Sequence, residues 1–349
     1  MPTIKEVANL AGVAVGTVSH VITGSVPVSA PLRRKVQAAI RQLDYHPNHV
    51  ARSLKTSKTR TLGIIVPDMT IPYFPKVIRG AETAARSKGY SLIAVNSDDS
   101  GTRQKELLSL LRSQRVEGIL LVMAAAPTPI AQISGTVAAG IHVVCLDRIP
   151  DRFAVDSVSV EDLSAAGLGV DHLISVGHRR IAIVTGPMSL RNERQRLAGY
   201  EQSLRRAGIV PREDLIWHGN LRTEDVTILC RERLLAVPRP DAILATNGPT
   251  GLGVLRALRD CGLKTPEDIA LVTFDELTVD DLFTPVVTTV VQPAYEIGYR
   301  AAEILLDRIE QGSSGQPNTV RLPATLKIAD TSRLPAGHAL AARNGHQKK

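Results

Sequence analysis

The chain has 349 residues, too many for one ordinary hydrophobic core, so its length predicts two or three domains. Hydrophobic residues make up 44% of it, and no apolar run approaches the roughly 20 residues of a membrane-spanning helix, which argues against a membrane protein. The formal net charge is +8, and residues 1–60 carry nine Lys and Arg against two acids, a balance of +7. This basic N-terminal part predicts a polyanionic partner, with a nucleic-acid backbone first among the candidates.

The three cysteines are scattered, at Cys145, Cys230 and Cys261. An odd, scattered set predicts small buried side chains rather than a disulfide framework or a zinc cluster. The N-terminal segment MPTIKEVANLAGVAVGTVSH places charges where a secretory signal needs an apolar core. We therefore expect a cytoplasmic protein.

Three short helices are predicted at the N-terminus. Thr3 and Glu6 form a capping box at the start of the first helix, whose apolar residues recur at helical spacing until Gly12. A second helix follows this glycine turn, and a third begins near Ser29. The third helix is expected to bury Leu32, Val36, Ala39, Ile40 and Leu43. Three helices that share one core in about 45 residues form the helix-turn-helix plan, whose second helix enters the major groove of DNA.

The next segment, PNHVARSLK, has a helix start at Asn48 and apolar residues at helical spacing, but the polar run KTSKTR follows at once. An isolated helix shorter than about 12 residues is marginal in water, so this one needs a partner in order to fold. The alternative is a plain linker, which the polar run by itself favours.

From Thr61 onward, strand-length apolar runs alternate with amphipathic helical stretches. Runs such as LGIIV, GILLV and IALVTFD are continuously apolar, as expected of parallel strands that are covered on both faces. Eight or more such runs exceed one comfortable sheet, so we expect two doubly wound lobes. A ligand cleft is expected at the carboxyl ends of their strands.

Several stretches occur together and in a characteristic order: TIKEVANLAGVAVGTVSHVI, VARSLK, GHRRIAIVTGP, RLAGY, TPEDIALVTFDE and FTPVVTTVVQP. They resemble the DNA-binding head, the hinge and the body of the lactose repressor family of transcription regulators, over residues 3 to about 333. The resemblance implies a small all-α helix-turn-helix head plus a hinge helix. These are joined to an α/β periplasmic-binding-protein-like body of two doubly wound parallel-sheet lobes.

The implied division of the chain has five parts. They are a helix-turn-helix DNA-binding domain at 1–46, a hinge at 47–60, a first lobe at 61–160 with 292–322, a second lobe at 161–291 with 323–335, and a disordered basic tail at 336–349. The implied function is a transcription regulator that acts as a repressor. It would bind a pseudo-palindromic operator in double-stranded DNA, and a small effector between the lobes would control it. The tail lacks the heptad leucines that build tetramers in some relatives, so a homodimer is expected.

The resemblance implies DNA contacts from the second helix. Val15, Gly16 and His20 would read bases, with Thr17 and Ser19 near phosphates and Thr3 at the start of the first helix. Val15 could favour a thymine methyl group, and His20 could bond a purine edge or a phosphate, whereas Gly16 offers no group of its own.

The resemblance also gives the hinge a function. Two hinge segments of a dimer would fold in the minor groove, with Leu54 as an apolar wedge between base pairs; the other implied positions are Asn48, Val50, Ala51 and Lys55. DNA and the partner hinge would supply the stability that this short helix lacks, so folding and binding become one event.

The implied effector positions are Tyr73, Phe74, Asp147, Asn192, Arg196, Asn247 and Asp275. Arg196 and Asp275 are expected to grip hydroxyl groups, because charged partners make strong hydrogen bonds. Leu221 stands where relatives that bind flat ligands have an aromatic residue, which makes a purine less expected. Arg191 and Arg194 add positive charge, so a sugar acid or a phosphosugar stays open beside a neutral sugar.

Other functions receive less support. No nucleophile arrangement, metal spacing or phosphate-binding loop is found, so neither an enzyme nor a cofactor is expected, and Asp98 and Asp99 are expected in a solvated loop. A sugar-binding receptor without a regulatory role would share the two lobes but not the basic head. A nonspecific architectural DNA binder would share the head but would have no use for a sensing body.

Overall fold

The computed structural model describes residues 2–24, 26–45, 58–125, 130–151, 154–277, 285–312 and 315–333. It divides into two units, a head (Met1–Thr59) and a body (Arg60–Lys349), which are considered separately below. The predicted hinge contacts of Asn48, Val50, Ala51, Leu54 and Lys55 lie outside the described residues, and so does the predicted tail at 336–349.

The head contains the three predicted helices, α1 (Ile4–Ala11), α2 (Val15–Thr23) and α3 (Ala30–Gln42). The capping box at the start of α1 is present: the backbone N–H of Thr3 donates to Glu6 Oε2 over 2.6 Å, and that of Glu6 donates to Thr3 Oγ1 over 3.4 Å. Gly12 ends α1 with φ +64°, a left-handed conformation that glycine adopts without strain.

One small core joins the three helices of the head. Its buried members are Val7, Ala8, Ala11, Val18, Val36, Ala39 and Tyr45. The prediction that Leu32 is buried is wrong, because this side chain is 39% exposed. Leu32 lies in the first turn of α3, one turn before Val36, and Val36 is the first residue of this helix that the core buries.

The described part of the body contains two six-stranded sheets with the same strand order. The first consists of β1 (Thr61–Val66), β2 (Ser91–Asn96), β3 (Gly118–Leu121), β4 (His142–Leu146), β5 (Asp156–Val160) and β11 (Thr319–Leu322), in the order β11-β5-β4-β3-β1-β2. The second consists of β6 (Ile181–Thr185), β7 (Ile216–His218), β8 (Ala242–Ala245), β9 (Ala270–Phe274), β10 (Thr288–Val291) and β12 (Thr325–Lys327), in the order β12-β10-β9-β8-β6-β7. Neighbouring strands run parallel except β10 and β12, which are antiparallel.

Helices cover both faces of each sheet. The first sheet packs against α4 (Tyr73–Ser87) and α11 (Ala294–Gln311) on one face and against α5 (Gly101–Ser113) and α6 (Ile130–Ala138) on the other. The second sheet packs against α7 (Asp162–Ser175) and α8 (Arg191–Arg206) on one face and against α9 (Thr223–Leu235) and α10 (Gly248–Asp260) on the other. This double coverage explains the continuously apolar strands, and it confirms the predicted two-lobed α/β class.

The chain crosses between the lobes more than once. After β10 of the second sheet, α11 and β11 return to the first sheet, and β12 then pairs with the second sheet. The predicted lobe ranges of 61–160 with 292–322 and of 161–291 with 323–335 place each strand with its own sheet, and we keep their boundaries as a proposal. The carboxyl ends of the central strands of both sheets border one cleft between the lobes.

Candidate functional site

Equivalent strands of the two sheets carry unusual backbone conformations at their carboxyl ends. Asp147 follows β4 and Asp275 follows β9, and each has φ +62°. Leu221 follows β7 with φ +67°, and Asp99 follows β2 with φ +54°. Left-handed conformations of residues other than glycine are costly, and they concentrate at functional sites. The cleft is therefore marked by backbone geometry as well as by topology.

A cavity of about 420 Å³, including its open mouth, lies between the lobes at these strand ends. This central cavity is lined by Ile71, Tyr73, Phe74, Asp147, Arg148, Asn192, Glu193, Arg196, Leu221, Asn247, Gly248, Pro249, Asp275 and Gln292. The structure thus brings all seven predicted effector positions together. Three of its charged or amide side chains were missed: Arg148, Glu193 and Gln292. Arg148 comes directly after Asp147, and Gln292 directly after β10, so the rule that sites lie at strand ends could have found both.

Arg196 is the central charge of the site, although it is only 2% exposed. Its Nε donates to Asp162 Oδ1 over 2.8 Å, its Nη1 to the Thr246 carbonyl over 2.6 Å, and its Nη2 to Gln292 Oε1 over 3.2 Å. The guanidinium also lies 4.3 Å above the ring centroid of Phe274. Most of its N–H groups are engaged within the protein, so Arg196 organises the site more than it projects into it.

Gln292 connects Arg196 to Asp275. While its Oε1 accepts from Arg196, its Nε2 donates to both carboxylate oxygens of Asp275, over 2.9 and 3.1 Å. The two charged residues expected to grip hydroxyl groups are therefore joined through one amide. Asp275 keeps carboxylate lone pairs available for a ligand in the central cavity.

Glu193 is a buried carboxylate that holds the second-lobe residues Gly186, Thr246 and Asn247 in place. It accepts from the backbone N–H of Gly186 over 2.8 Å, from Thr246 Oγ1 over 2.5 Å and from Asn247 Nδ2 over 3.0 Å. Asn247 in turn caps α10, because its Oδ1 accepts from the Thr250 backbone N–H over 3.0 Å. Both ends of the Asn247 side-chain amide are thus held by hydrogen bonds, so this residue lines the cavity in a fixed orientation.

Asn192 differs from its neighbours because one of its buried polar atoms has no hydrogen-bond partner among the described residues. Its side chain is 6% exposed, and its Oδ1 has no hydrogen-bond partner in the described part of the chain. Buried polar atoms are almost always satisfied, so an unsatisfied acceptor that lines a cavity indicates a ligand that donates a hydrogen bond. A hydroxyl group is such a donor.

On the first-lobe side, Tyr73 donates its hydroxyl to Asp147 Oδ1 over 3.3 Å, and the rings of Tyr73 and Phe74 make an edge contact at 5.2 Å. Arg148 is paired with Asp99 and donates to the Met123 carbonyl over 3.2 Å. The expectation that Asp99 is merely solvated is therefore wrong, because Asp99 anchors a buried arginine of the cavity.

Burial dominates the electrostatics of the cavity. It raises the pKa of Asp275 to about 7 and that of Asp162 to about 6, although the charge of Arg196 offsets part of each shift. Burial likewise raises the pKa of Asp147, against the opposing charges of Arg148 and Arg196. For Arg196 itself, burial lowers the pKa, but the surrounding carboxylates, Asp162 first, raise it overall.

The charges on the cavity wall do not favour an anionic ligand. Asp147, Glu193 and Asp275 face two arginines, Arg148 and Arg196. Arg191 and Arg194, which suggested a sugar acid or a phosphosugar, do not line this cavity. Arg194 is instead paired with Asp151 over 2.5 Å and bonds the Met188 carbonyl over 2.7 Å. Of the three effector classes left open, the wall favours the neutral sugar.

The raised pKa of Asp275 predicts a pH-dependent stability. In the folded protein this carboxyl holds its proton up to about pH 7, whereas its ordinary value is 3.8, so its stabilising contribution is complete below about pH 4 and is lost as the pH rises through 7. We expect the stability advantage of the wild type over Asp275→Asn to shrink from pH 4 to pH 7. Urea unfolding followed by Trp217 fluorescence measures this difference, and a constant difference would contradict the assignment.

In the head, all the predicted major-groove positions lie on α2, and Thr3 caps α1. Val15 is 41% exposed, Gly16 is exposed with open space around it, and Thr17, Ser19 and His20 are partly buried. Ala14 gives α2 no side-chain cap, so backbone N–H groups at this helix start stay available for an acceptor such as a phosphate oxygen.

Within the described ranges, no helix is both long enough and apolar enough to cross a membrane.

Two family models match the chain. One is described as bacterial regulatory proteins, lacI family, and matches residues 3–48; the other is the periplasmic binding protein-like domain and matches residues 170–332. The ribose operon repressor of Escherichia coli strain K12 is 34% identical over 329 residues, which cover 94% of this chain and 99% of the relative.

Solved structures agree with these matches. The crystal structure of the Lac repressor dimer bound to operator and the anti-inducer ONPF superposes with a TM-score of 0.82 at 26% identity, covering 95% of this chain and 99% of the other. A complex of the transcriptional regulator CelR with cellobiose gives a TM-score of 0.71 at 32% identity, covering 95% and 100%. The identity to the ribose operon repressor over nearly the whole of both chains, together with the match of the head, shows that this chain belongs to the lacI family of bacterial regulatory proteins.

Proposed function

We propose that this lacI-family regulator binds a pseudo-palindromic operator as a homodimer and represses transcription. The exposed, uncapped start of α2, in a segment (residues 1–60) with a charge balance of +7, supports this proposal. The proposed base-reading residues are Val15, Gly16 and His20. Thr17, Ser19 and Thr3 are proposed to lie near the phosphate backbone of the DNA. The predicted hinge residues Asn48, Val50, Ala51, Leu54 and Lys55 complete the proposed contacts, and the site of action is the cytoplasm, where the operator is.

The proposed effector is a neutral monosaccharide bound in the central cavity, with ribose as the first candidate. The observation that carries this proposal is the unpartnered, buried Asn192 Oδ1 in a cavity wall that also presents Asp147 and Asp275 as acceptors. Hydroxyl groups of a sugar satisfy all three. Tyr73 and Phe74 offer an aromatic edge for the apolar face of a sugar ring.

A disaccharide is the alternative to a monosaccharide as the effector. One relative is a ribose operon repressor, and another is a regulator whose structure was solved with cellobiose. The experiment therefore includes a disaccharide as well as ribose.

The proposal predicts that ribose changes operator affinity and that Asp275→Asn abolishes this response. A duplex selected by the protein from a random pool and a scrambled duplex are titrated by fluorescence anisotropy at one salt concentration, with and without sugar. We expect ribose to change the affinity for the selected duplex by about fivefold or more. Asp275→Asn should bind the duplex equally well but fail to respond, because it replaces one acceptor oxygen of the cavity wall with an NH2 group that can only donate.

Asp171→Asn is the matched control, since Asp171 lies on α7 of the same lobe but is exposed and pairs with Arg206. Cellobiose, ribose 5-phosphate and ribonate complete the panel. Equal affinity for the selected and scrambled duplexes would support an architectural DNA binder instead. A response to the anionic sugars alone would overturn the neutral effector.

A further inference from the structure

Among the described residues, two ion pairs join the first lobe to the second outside the central cavity. Lys76 of α4 pairs with Glu276, which follows β9, and Arg194 of α8 pairs with Asp151, between β4 and β5, over 2.5 Å. We call them the interlobe pairs. None of the four residues lines the central cavity, and each pair links groups that belong to different sheets.

The interlobe pairs lie near two different chambers that adjoin the central cavity. Glu276 borders an adjoining chamber that shares Ile71, Tyr73, Leu221, Gly248, Pro249 and Asp275 with it. Asp151 lies two residues after Ile149, and Arg194 lies directly before Gln195. Ile149 and Gln195 line another chamber, which shares Asp147 and Asn192 with the cavity. Each pair therefore lies beside a chamber that shares lining residues with the proposed effector site.

Hydrogen bonds within the second lobe hold the arginine of the Arg194 pair in place. Its Nη1 donates to the carbonyls of Met188 and Ser189 over 2.7 and 2.9 Å, which fixes the guanidinium towards Asp151. Beside it, Ser189 Oγ donates to the Ala125 carbonyl of the first lobe over 3.1 Å. A fixed arginine loses less side-chain entropy on pairing than a free one, so this contact is stronger than an ordinary surface pair.

We propose that the interlobe pairs are positioning residues for the effector: they hold the lobes together over the central cavity and thereby raise effector affinity without touching the ligand. This inference rests on the proposed sugar site for its affinity readout. A ligand shifts a two-state equilibrium only through its different affinity for the two states, so residues that bias the lobes change the apparent affinity. Because both pairs are partly exposed, salt weakens them, and the affinity for an uncharged sugar falls as salt rises.

Charge reversal on the full-length protein tests the proposal. Ribose affinity is measured by calorimetry at low and high salt for Lys76→Glu, Glu276→Lys and the double reversal. Each single reversal should weaken binding by about fivefold, and the double reversal, which restores an opposite-charge pair, should return it to within about twofold. Glu82→Lys is the matched control, because Glu82 pairs with Arg86 over 3.1 Å within the same helix α4 and should leave affinity unchanged.

A second measurement does not depend on any ligand. Spin labels on Ser109→Cys of α5 and Glu232→Cys of α9 report the separation of the lobes, and Glu276→Lys should lengthen or broaden that distance while the double reversal restores it. Unchanged distances and unchanged affinity in the single reversals would overturn the proposal. Absent ribose binding together with a reversible change in distance would refute the proposed effector but retain the interlobe pairs.

Discussion

Arg196→Met is expected to lower the free energy of unfolding of the body by about 3 to 5 kcal/mol. Removing one member of a buried ion pair leaves its partners charged and unpaired in a low-dielectric interior, which costs far more than the pair itself contributes. Here two carboxylates lose their partner, since Arg196 bonds Asp162 over 2.8 Å and lies 3.9 Å from Glu193. The carbonyl of Thr246 and the amide of Gln292 lose a donor as well.

Urea unfolding followed by the fluorescence of Trp217, which is buried in β7 of the same lobe, measures this loss. Arg206→Met is the control on the same helix, because Arg206 forms an exposed pair with Asp171 and should contribute less than about 1 kcal/mol. Adding Asp162→Asn to Arg196→Met should recover part of the loss, since it removes one unpaired buried charge. Equal effects of the two methionine variants would show that Arg196 is not the electrostatic centre of this lobe.

Local and periodic patterns predicted most of the fold. The capping box of Thr3 and Glu6 depends on residues three apart, and the strands depend on continuous apolar runs, so both can be found without tertiary information. Leu32 shows the limit of periodicity, because its spacing matches the buried face of α3 while its place in the first turn leaves it exposed. Periodicity gives the face of a helix but not how far the core extends along it.

The candidate site was predictable where topology alone decides. Asp147 and Asp275 end equivalent strands, and the rule that parallel strands present ligands at their carboxyl ends places both in the cleft. The connection of Arg196 to Asp275 through Gln292 was not predictable, because it depends on side-chain geometry between residues 96 positions apart along the chain. The same holds for the salt bridge of Arg148 with Asp99, two residues that sequence places in separate loops.

Gly298→Ala, at the crossing of two helices, is expected to lower the free energy of unfolding by about 3 kcal/mol. A Cβ atom at Gly298 of α11 would lie 1.9 Å from the Val77 carbonyl oxygen of α4, and one at Gly80 of α4 would lie 2.0 Å from the Tyr295 carbonyl oxygen. Because both obstacles are backbone atoms, no side-chain rotation relieves the clash. The helices must separate, which opens gaps across the core of the first lobe.

Gly135→Ala is the matched control for this effect. Gly135 is exposed on α6 of the same lobe, and a Cβ atom there would meet nothing within 4 Å. Alanine should therefore stabilise the protein by about 0.5 to 1 kcal/mol, through the helix propensity and backbone entropy that glycine lacks. Thermal unfolding of both variants tests the pair, and a neutral Gly298→Ala would mean that α4 and α11 do not cross at backbone contact. Opposite signs for the same chemical change would show that close approach, and not intrinsic propensity, decides where this chain requires glycine.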